Sequence, residues 1–133
     1  MKIVAGFSKV EEVDKLIEAG ASELYCGIIS KDNMNHRPNS EQFNLKTLNE
    51  LKQACKIAHK YQTPIYLAIN EIEYPKEHIK IIKNLIEKAI ETNIDGFICS
   101  NPSIICLIKH RSIDRKIILS CVNPVFNKES MKF

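Results

Sequence analysis

The 133-residue chain has no tryptophan, four glycines and five prolines. With Gly and Pro this scarce, and Ile and Leu recurring throughout, a disordered or low-complexity chain is excluded. No apolar run approaches the ~20 residues of a membrane span. The opening "MKIVAGFSKVEEVDKL" turns charged too soon for a secretory leader. The expectation is a cytoplasmic protein with no membrane partner. No sign of charge dominates either: 19 Lys and Arg stand against 16 Asp and Glu, interspersed, for a net +3. That balance only weakly indicates a nucleic-acid surface. The densest basic stretch, "KHRSIDRK" at 109–116, reads as a solvated connection. The five cysteines are odd in number and no C-x-x-C occurs, which argues against a zinc ribbon or a thioredoxin-type pair and for thiols. G-x-G-x-x-G, Walker, H-E-x-x-H and G-x-S-x-G patterns are all missing.

What the chain does have is an alternation of two patterns. Short apolar runs, "KIVAGF", "SELYCGI", "TPIYLAIN", "IDGFICS" and "KIILSCV", read as strands covered on both faces. Between them lie segments of helical period. The first carries Val10, Val13, Leu16 and Ile17, with Ser8 and Glu11 as a capping-box pair and Gly20 as its stop. The second carries Leu45, Leu48, Leu51, Cys55 and Ala58, with Asn44 as its cap. The third carries Ile79, Ile82, Ile86 and Ala89. The fourth begins at Asn101-Pro102 and ends on Lys109, His110 and Arg111, where cations suit the helix dipole. "NKESMKF" reads as the start of a fifth helix.

The fold class expected is therefore α/β, built of parallel (β/α) repeats. Five strands fit an open doubly wound sheet or a little over half of a TIM-type (β/α)8 barrel. A helix start with no body favours about half a barrel, ending at the start of the fifth helix. Residues 1–133 then form a single partial barrel domain with exposed edges. "KIILSCV" is apolar and unblunted as an edge, so self-association through strand edges is expected.

In either architecture ligands bind beyond the carboxyl ends of the strands. That rule selects Gly6-Phe7-Ser8, Tyr25-Cys26-Gly27, Asn70-Glu71, Cys99-Ser100-Asn101 and Ser120-Cys121-Val122-Asn123. The polar loop after the second strand is long for a βα connection and should cover the same face. Glu71 is a candidate general acid or base, with Glu73 behind it. Asn70 is a candidate for orienting a substrate, while Asn101 is explained as a helix cap. Arg37, beside His36, could hold a carboxylate or phosphate at two points. Cys26, Cys99 and Cys121 fall near strand ends, where they could share a metal or supply a nucleophile. The bland reading, buried small hydrophobes, is the stronger one and extends to Cys55 and Cys106. His59, His78 and His110 read as surface or helix-end residues. Glu23 and Asp95 lie at the opposite ends of their strands. No metal site is expected.

These residues resemble the N-terminal part of the collagenase-like peptidase family, peptidases of unknown catalytic type. "AGFSKVEEVDKLIEAGASELYCGI" is similar to that family's P-A-G turn, helix and A-G-A-D-x-x-Y-x-G. "NHRPNSEQFNLKTLNELKQACKIAHKYQTPIYLAIN" is similar to its arginine loop, N-F segment, A-H helix and Y-x-x-x-N strand. "IDGFICSNPSIICLIK" resembles V-D-A-x-I-V-x-D-P, and "LSCVNPVFNKESMKF" resembles S-T-x-x-x-x-x-N-x-E-x-x-x-F. The family's proline is Ala5 here, its D-P aspartate is Asn101, and its threonine after the strand-five serine is Cys121.

The resemblance implies a (β/α)8-type barrel. Its strand-end residues map to Gly6, Tyr25, Gly27, Arg37, Phe43, Asn70 and Ser120, with Arg37, His36, Tyr25, Gly27 and Ser120 as substrate-binding candidates. The implied function is a barrel segment of a peptidase, a hydrolase, either truncated or dependent on a partner. The ligand would be a peptide or small carboxylate, with RNA the weaker alternative. Two other readings stand beside it. One is an oxygen-independent hydroxylase-type domain, prephenate-linked, acting on RNA or a small aromatic. The other is a non-enzymatic binding module. The four-Cys iron–sulfur region of longer family members lies beyond this chain, so no cofactor is expected within it.

Overall fold

A computed structural model of the chain describes residues 1–29, 42–111, 114–120 and 128–129. Five strands, β1 (Val4–Gly6), β2 (Glu23–Cys26), β3 (Ile65–Ile69), β4 (Gly96–Cys99) and β5 (Lys116–Leu119), form one sheet. All neighbours are parallel and the spatial order is the chain order, β1-β2-β3-β4-β5. Four helices alternate with them: α1 (Val13–Glu18), α2 (Leu48–Lys60), α3 (His78–Glu91) and α4 (Pro102–Arg111). A doubly wound sheet reverses its strand order at a switch point. The five strands here contain no such reversal.

Strand alternation sorts the side chains onto two faces. Leu24, Cys26, Ile65, Leu67, Ile69, Phe97 and Cys99 join one hydrophobic core with Val13, Leu51, Ala58, Ile82, Ile86 and Ile104 of the helices. β3, the central strand, is buried at every position. β1 and β5 are the more exposed edges, with Val4 and Leu119 each about half-exposed.

The other face is ordered in rows by the register. The first row runs Gly6, Tyr25, Tyr66, Gly96, Lys116. Glycine sits in it where a neighbour needs the space. A Cβ on Gly6 would lie 2.9 Å from Tyr25 Cζ, and one on Gly96 only 2.1 Å from the Lys116 carbonyl oxygen. The second row is Ala68, Ile98, Ile118. Two residues further along, Asn70, Ser100 and Ser120 make a third row at the carboxyl ends. A charged row, an apolar row and a polar row thus succeed one another along a single face.

The amino ends are held by charge. Glu23 accepts from Lys2 Nζ at 3.2 Å, and Lys116 Nζ lies 3.6 Å from the same carboxylate oxygen. Lys116 also donates to Tyr66 Oη at 3.1 Å and sits 4.9 Å from that ring's centre. The hydrogen bond to Tyr66 raises the Lys116 pKa against the opposing pull of desolvation. For Glu23, burial alone would raise the carboxyl, but the Lys2 hydrogen bond and the two lysine charges outweigh it and hold the pKa below its ordinary 4.5. A depressed carboxyl stabilises the fold above its unfolded pKa, and that contribution is lost as pH falls through the folded one. Glu23→Gln is expected to flatten the loss of stability between about pH 5 and pH 3, read from urea midpoints. Parallel pH curves for both proteins would remove this role.

Two helix starts differ from the expectation. The Ser8–Glu11 pair does not form. Glu12 instead accepts from Ser8 N at 2.8 Å and Lys9 N at 3.1 Å, and a 3-10 turn at Val10–Glu12 precedes α1. Asn44 does not cap α2. Thr47 does, accepting from Glu50 N at 3.2 Å while Glu50 accepts from Thr47 N at 3.3 Å. The reason is tertiary: Leu45 forms an isolated parallel bridge with Ile28, which keeps the chain extended up to the cap. Gly20 does follow the end of α1, at φ +102. Ile79 is partly exposed rather than core-facing. The expected fifth helix falls on residues mostly outside those described.

Candidate functional site

Three candidates from the third row meet at the carboxyl ends of β3, β4 and β5. Asn70 Nδ2 donates to Ser120 Oγ at 3.3 Å, joining residues 50 apart in sequence. Ser100 Oγ donates to the Asn70 carbonyl at 3.0 Å, and Ser120 N donates to the Cys99 carbonyl at 2.9 Å. Asn70 Oδ1 is buried and has no hydrogen-bond partner among the described residues. The cluster follows the apolar second row along the same face, in which Ala68 is buried and Ile98 and Ile118 are half-buried.

The loops beside it are tied together. Glu71 N donates to Tyr74 Oη at 3.0 Å, and burial raises the Tyr74 phenol against the weaker effect of that bond. Asn101 Oδ1 accepts from Ser103 N at 2.9 Å and caps α4, as expected. Its Nδ2 also donates to the Ile72 carbonyl at 2.8 Å. One asparagine therefore fixes the start of α4 to the loop that carries Glu71.

Other candidates are placed elsewhere. Tyr25 is in register with Gly6 and Tyr66, four residues before the level of Asn70. Gly27 is buried, and its carbonyl accepts from Leu45 N at 2.9 Å. Its position in the loop connection serves the backbone. Arg37 and His36 lie outside the described residues, as do Cys121 and Asn123. Ser100 falls within a strand-end patch of the sequence, but no pattern there assigns it a role. Its one signal is a hydroxyl just past a strand end.

The four described cysteines do not gather at the strand ends. Cys26 and Cys99 point into the core between sheet and helices, away from the polar row. Cys55 is core-facing, as expected, but Cys106 is exposed rather than buried. None of these four is in a disulfide. Among the described residues no three His, Cys, Asp or Glu side chains come together as a metal site.

One arrangement imitates a catalytic triad. Cys55 and His59 are a turn apart on α2, and His59 Nε2 is 2.8 Å from Asp95 Oδ2. Burial, however, pushes the Cys55 thiol up to about 12, against a hydrogen bond with Thr92, and Asp95 adds to the rise. A thiol that stays protonated is no nucleophile. The group also lies at the amino ends of the strands, where Asp95 Oδ2 accepts from Ile65 N at 2.8 Å. It is a structural node. Burial likewise pushes Cys99 up to about 12. Of Cys26, Cys55, Cys99 and Cys106, only Cys106 should be alkylated by iodoacetamide in the native protein near pH 8, as mapped by peptide mass spectrometry. Rapid native labelling of Cys55 or Cys99 would contradict the burial argument.

A cleft of about 380 Å³ lies at the carboxyl end of β1, lined in part by Gly6, Phe7, Leu16 and Phe43. It brings Gly6 and Phe43 together but shares no residue with the Asn70 cluster. The cluster is the better candidate because it holds a buried polar atom without a partner, whereas the cleft is an open, mainly apolar surface.

The structure is thus a parallel α/β domain with a polar cluster beyond its strand ends. The chain belongs to peptidase family U32, whose family model matches residues 8–133. It is also similar to a solved structure described as that of the U32 peptidase Mk0906, with TM-score 0.68 and 10% sequence identity. That match covers 90% of this chain and 48% of the other, so this chain spans about half the length of that relative. A search of curated proteins finds no match. Among the described residues no helix is long and apolar enough to cross a membrane.

Proposed function

We propose that the chain forms about half of a (β/α)8-type barrel and supplies one side of the peptide-binding site of a U32 peptidase. The sequential parallel order supports the barrel reading. Right-handed crossovers without a reversal place successive helices on one face, which is how a barrel winds. The observation that carries the site is the Asn70–Ser120 hydrogen bond, which brings two strand-end candidates together from β3 and β5.

In this reading Asn70 and Ser120 bind and orient the peptide. Arg37, from the loop after β2, pairs with a peptide carboxylate, and Glu71 acts as general acid or base. Asn70, Ser100 and Ser120 do not make a nucleophile–base pair. The hydrolytic machinery is therefore completed by groups outside this cluster, in the Arg37 loop or in the rest of a barrel.

Isothermal titration of the full chain with a short acidic peptide tests the reading. Arg37→Ala and Ser120→Ala should each weaken binding about tenfold, the loss of one charge-assisted or neutral hydrogen-bonding group. Unchanged affinity in both variants would reject the strand-end site.

A further inference from the structure

Asn70 Oδ1 is the described buried side-chain atom that lacks a hydrogen-bond partner. A carbonyl oxygen has two acceptor positions. Leaving both empty in a buried setting carries a desolvation cost, so such an atom calls for an explanation. The bonds around it hold it in place and do not satisfy it. Nδ2 is engaged with Ser120 Oγ at 3.3 Å, and the backbone carbonyl with Ser100 Oγ at 3.0 Å. Ser120 thereby holds the side-chain amide and Ser100 the backbone that carries it, with Oδ1 left for something else.

We infer that Asn70 Oδ1 accepts a backbone N–H of the bound peptide, with Ser100 and Ser120 as the positioning residues that aim it. This rests on the proposed peptide-binding reading and names the contact that makes the site select peptides. The chemistry of the row favours a neutral donor. Asn70, Ser100 and Ser120 are all uncharged, and the row beneath them is Ala68, Ile98 and Ile118. A buried amide oxygen beside an apolar row pairs well with a neutral N–H and gives no full charge to hold an ammonium group. A site built to bond an N–H rejects the analogue that lacks it, because its own buried group is then left unpaired.

The test uses the full chain, a blocked Ala-Ala-Glu-Ala peptide that keeps a carboxylate for Arg37, and four versions each N-methylated at one residue. Binding is followed by isothermal titration in every protein and, where Asn70 is retained, also by its side-chain amide signals in nitrogen-15 NMR. One N-methyl position should weaken binding about tenfold or more in the wild type. In Asn70→Leu the unmodified peptide and that analogue should bind alike. In Asn70→Asp, which keeps an acceptor, the discrimination should persist. Ser100→Ala should reduce the discrimination and Ser100→Thr restore it, which a merely structural role would not do.

If the peptide binds and shifts the Asn70 signals but no N-methyl position matters, the inferred contact is wrong and the peptide-binding reading stands. A loss that persists in Asn70→Leu likewise overturns the contact alone. If no peptide binds or moves the Asn70 signals, both fail.

Discussion

Phe97→Ala is expected to cost the fold about 3–5 kcal/mol. The ring is fully buried and lies on β4, with Leu67 of β3 on one side and Ile117 of β5 on the other. Its removal loses the transfer free energy of the side chain and leaves a cavity where β4 meets the helices. Domains are stable by only about 5–15 kcal/mol, so this one change takes a large share. The urea midpoint should fall with little change in slope. Phe97→Leu, which refills most of the volume, should cost about 1.5 kcal/mol or less. A loss under about 1 kcal/mol for the alanine variant would mean that the core is not packed through this residue.

Asp95→Ala is expected to cost about 2–3 kcal/mol by a different route. The carboxylate accepts from Ile65 N and bonds His59 Nε2, both at 2.8 Å. The backbone of the same residue donates to the Ile65 carbonyl at 3.0 Å and accepts from Lys116 N at 3.2 Å. Asp95 thus joins α2, β3, β4 and β5 at the amino ends. Without its carboxylate the Ile65 N–H loses its acceptor. Side-chain exposures of 34% for Asp95 and 32% for His59 moderate the effect, since water can replace part of what is lost. Asp95→Asn keeps an oxygen for Ile65 and should recover about half of the loss. Under the proposed peptide-binding reading, affinity of the folded Asp95→Ala protein should stay within about twofold of wild type, because Asn70 is at the other end of the strands. A selective loss of affinity at unchanged stability would reverse that assignment.

The stability role of Asp95 is legible in sequence, since it precedes its strand whereas ligands bind past the other end. Two cysteine candidates show where strand-end position alone misleads. Tyr25 and Cys26 are adjacent in β2, and adjacent strand residues face opposite sides. Both could not serve one site, and the buried core claims Cys26. The same parity sends Cys99 inward and leaves Ser100 on the face of Asn70. Strict alternation along the strand already implies that much. The cap of α2 is a different matter. Asn44 is as good a cap by type as Thr47. What excludes it is the bridge between Ile28 and Leu45, which no local pattern announces.

By itself the sequence determined the order of strands and helices, because apolar runs and helical spacing record which faces must leave water. It also determined the family, through motifs spread along most of the chain. Tertiary structure decided which candidates meet. Asn70 and Ser120 are separated by 50 residues, and their contact exists because β3, β4 and β5 pair in one register. A shift of one residue would turn each side chain to the opposite face. Register depends on long-range pairing, so the meeting of these residues, and the buried oxygen left open between them, emerges only from the folded sheet.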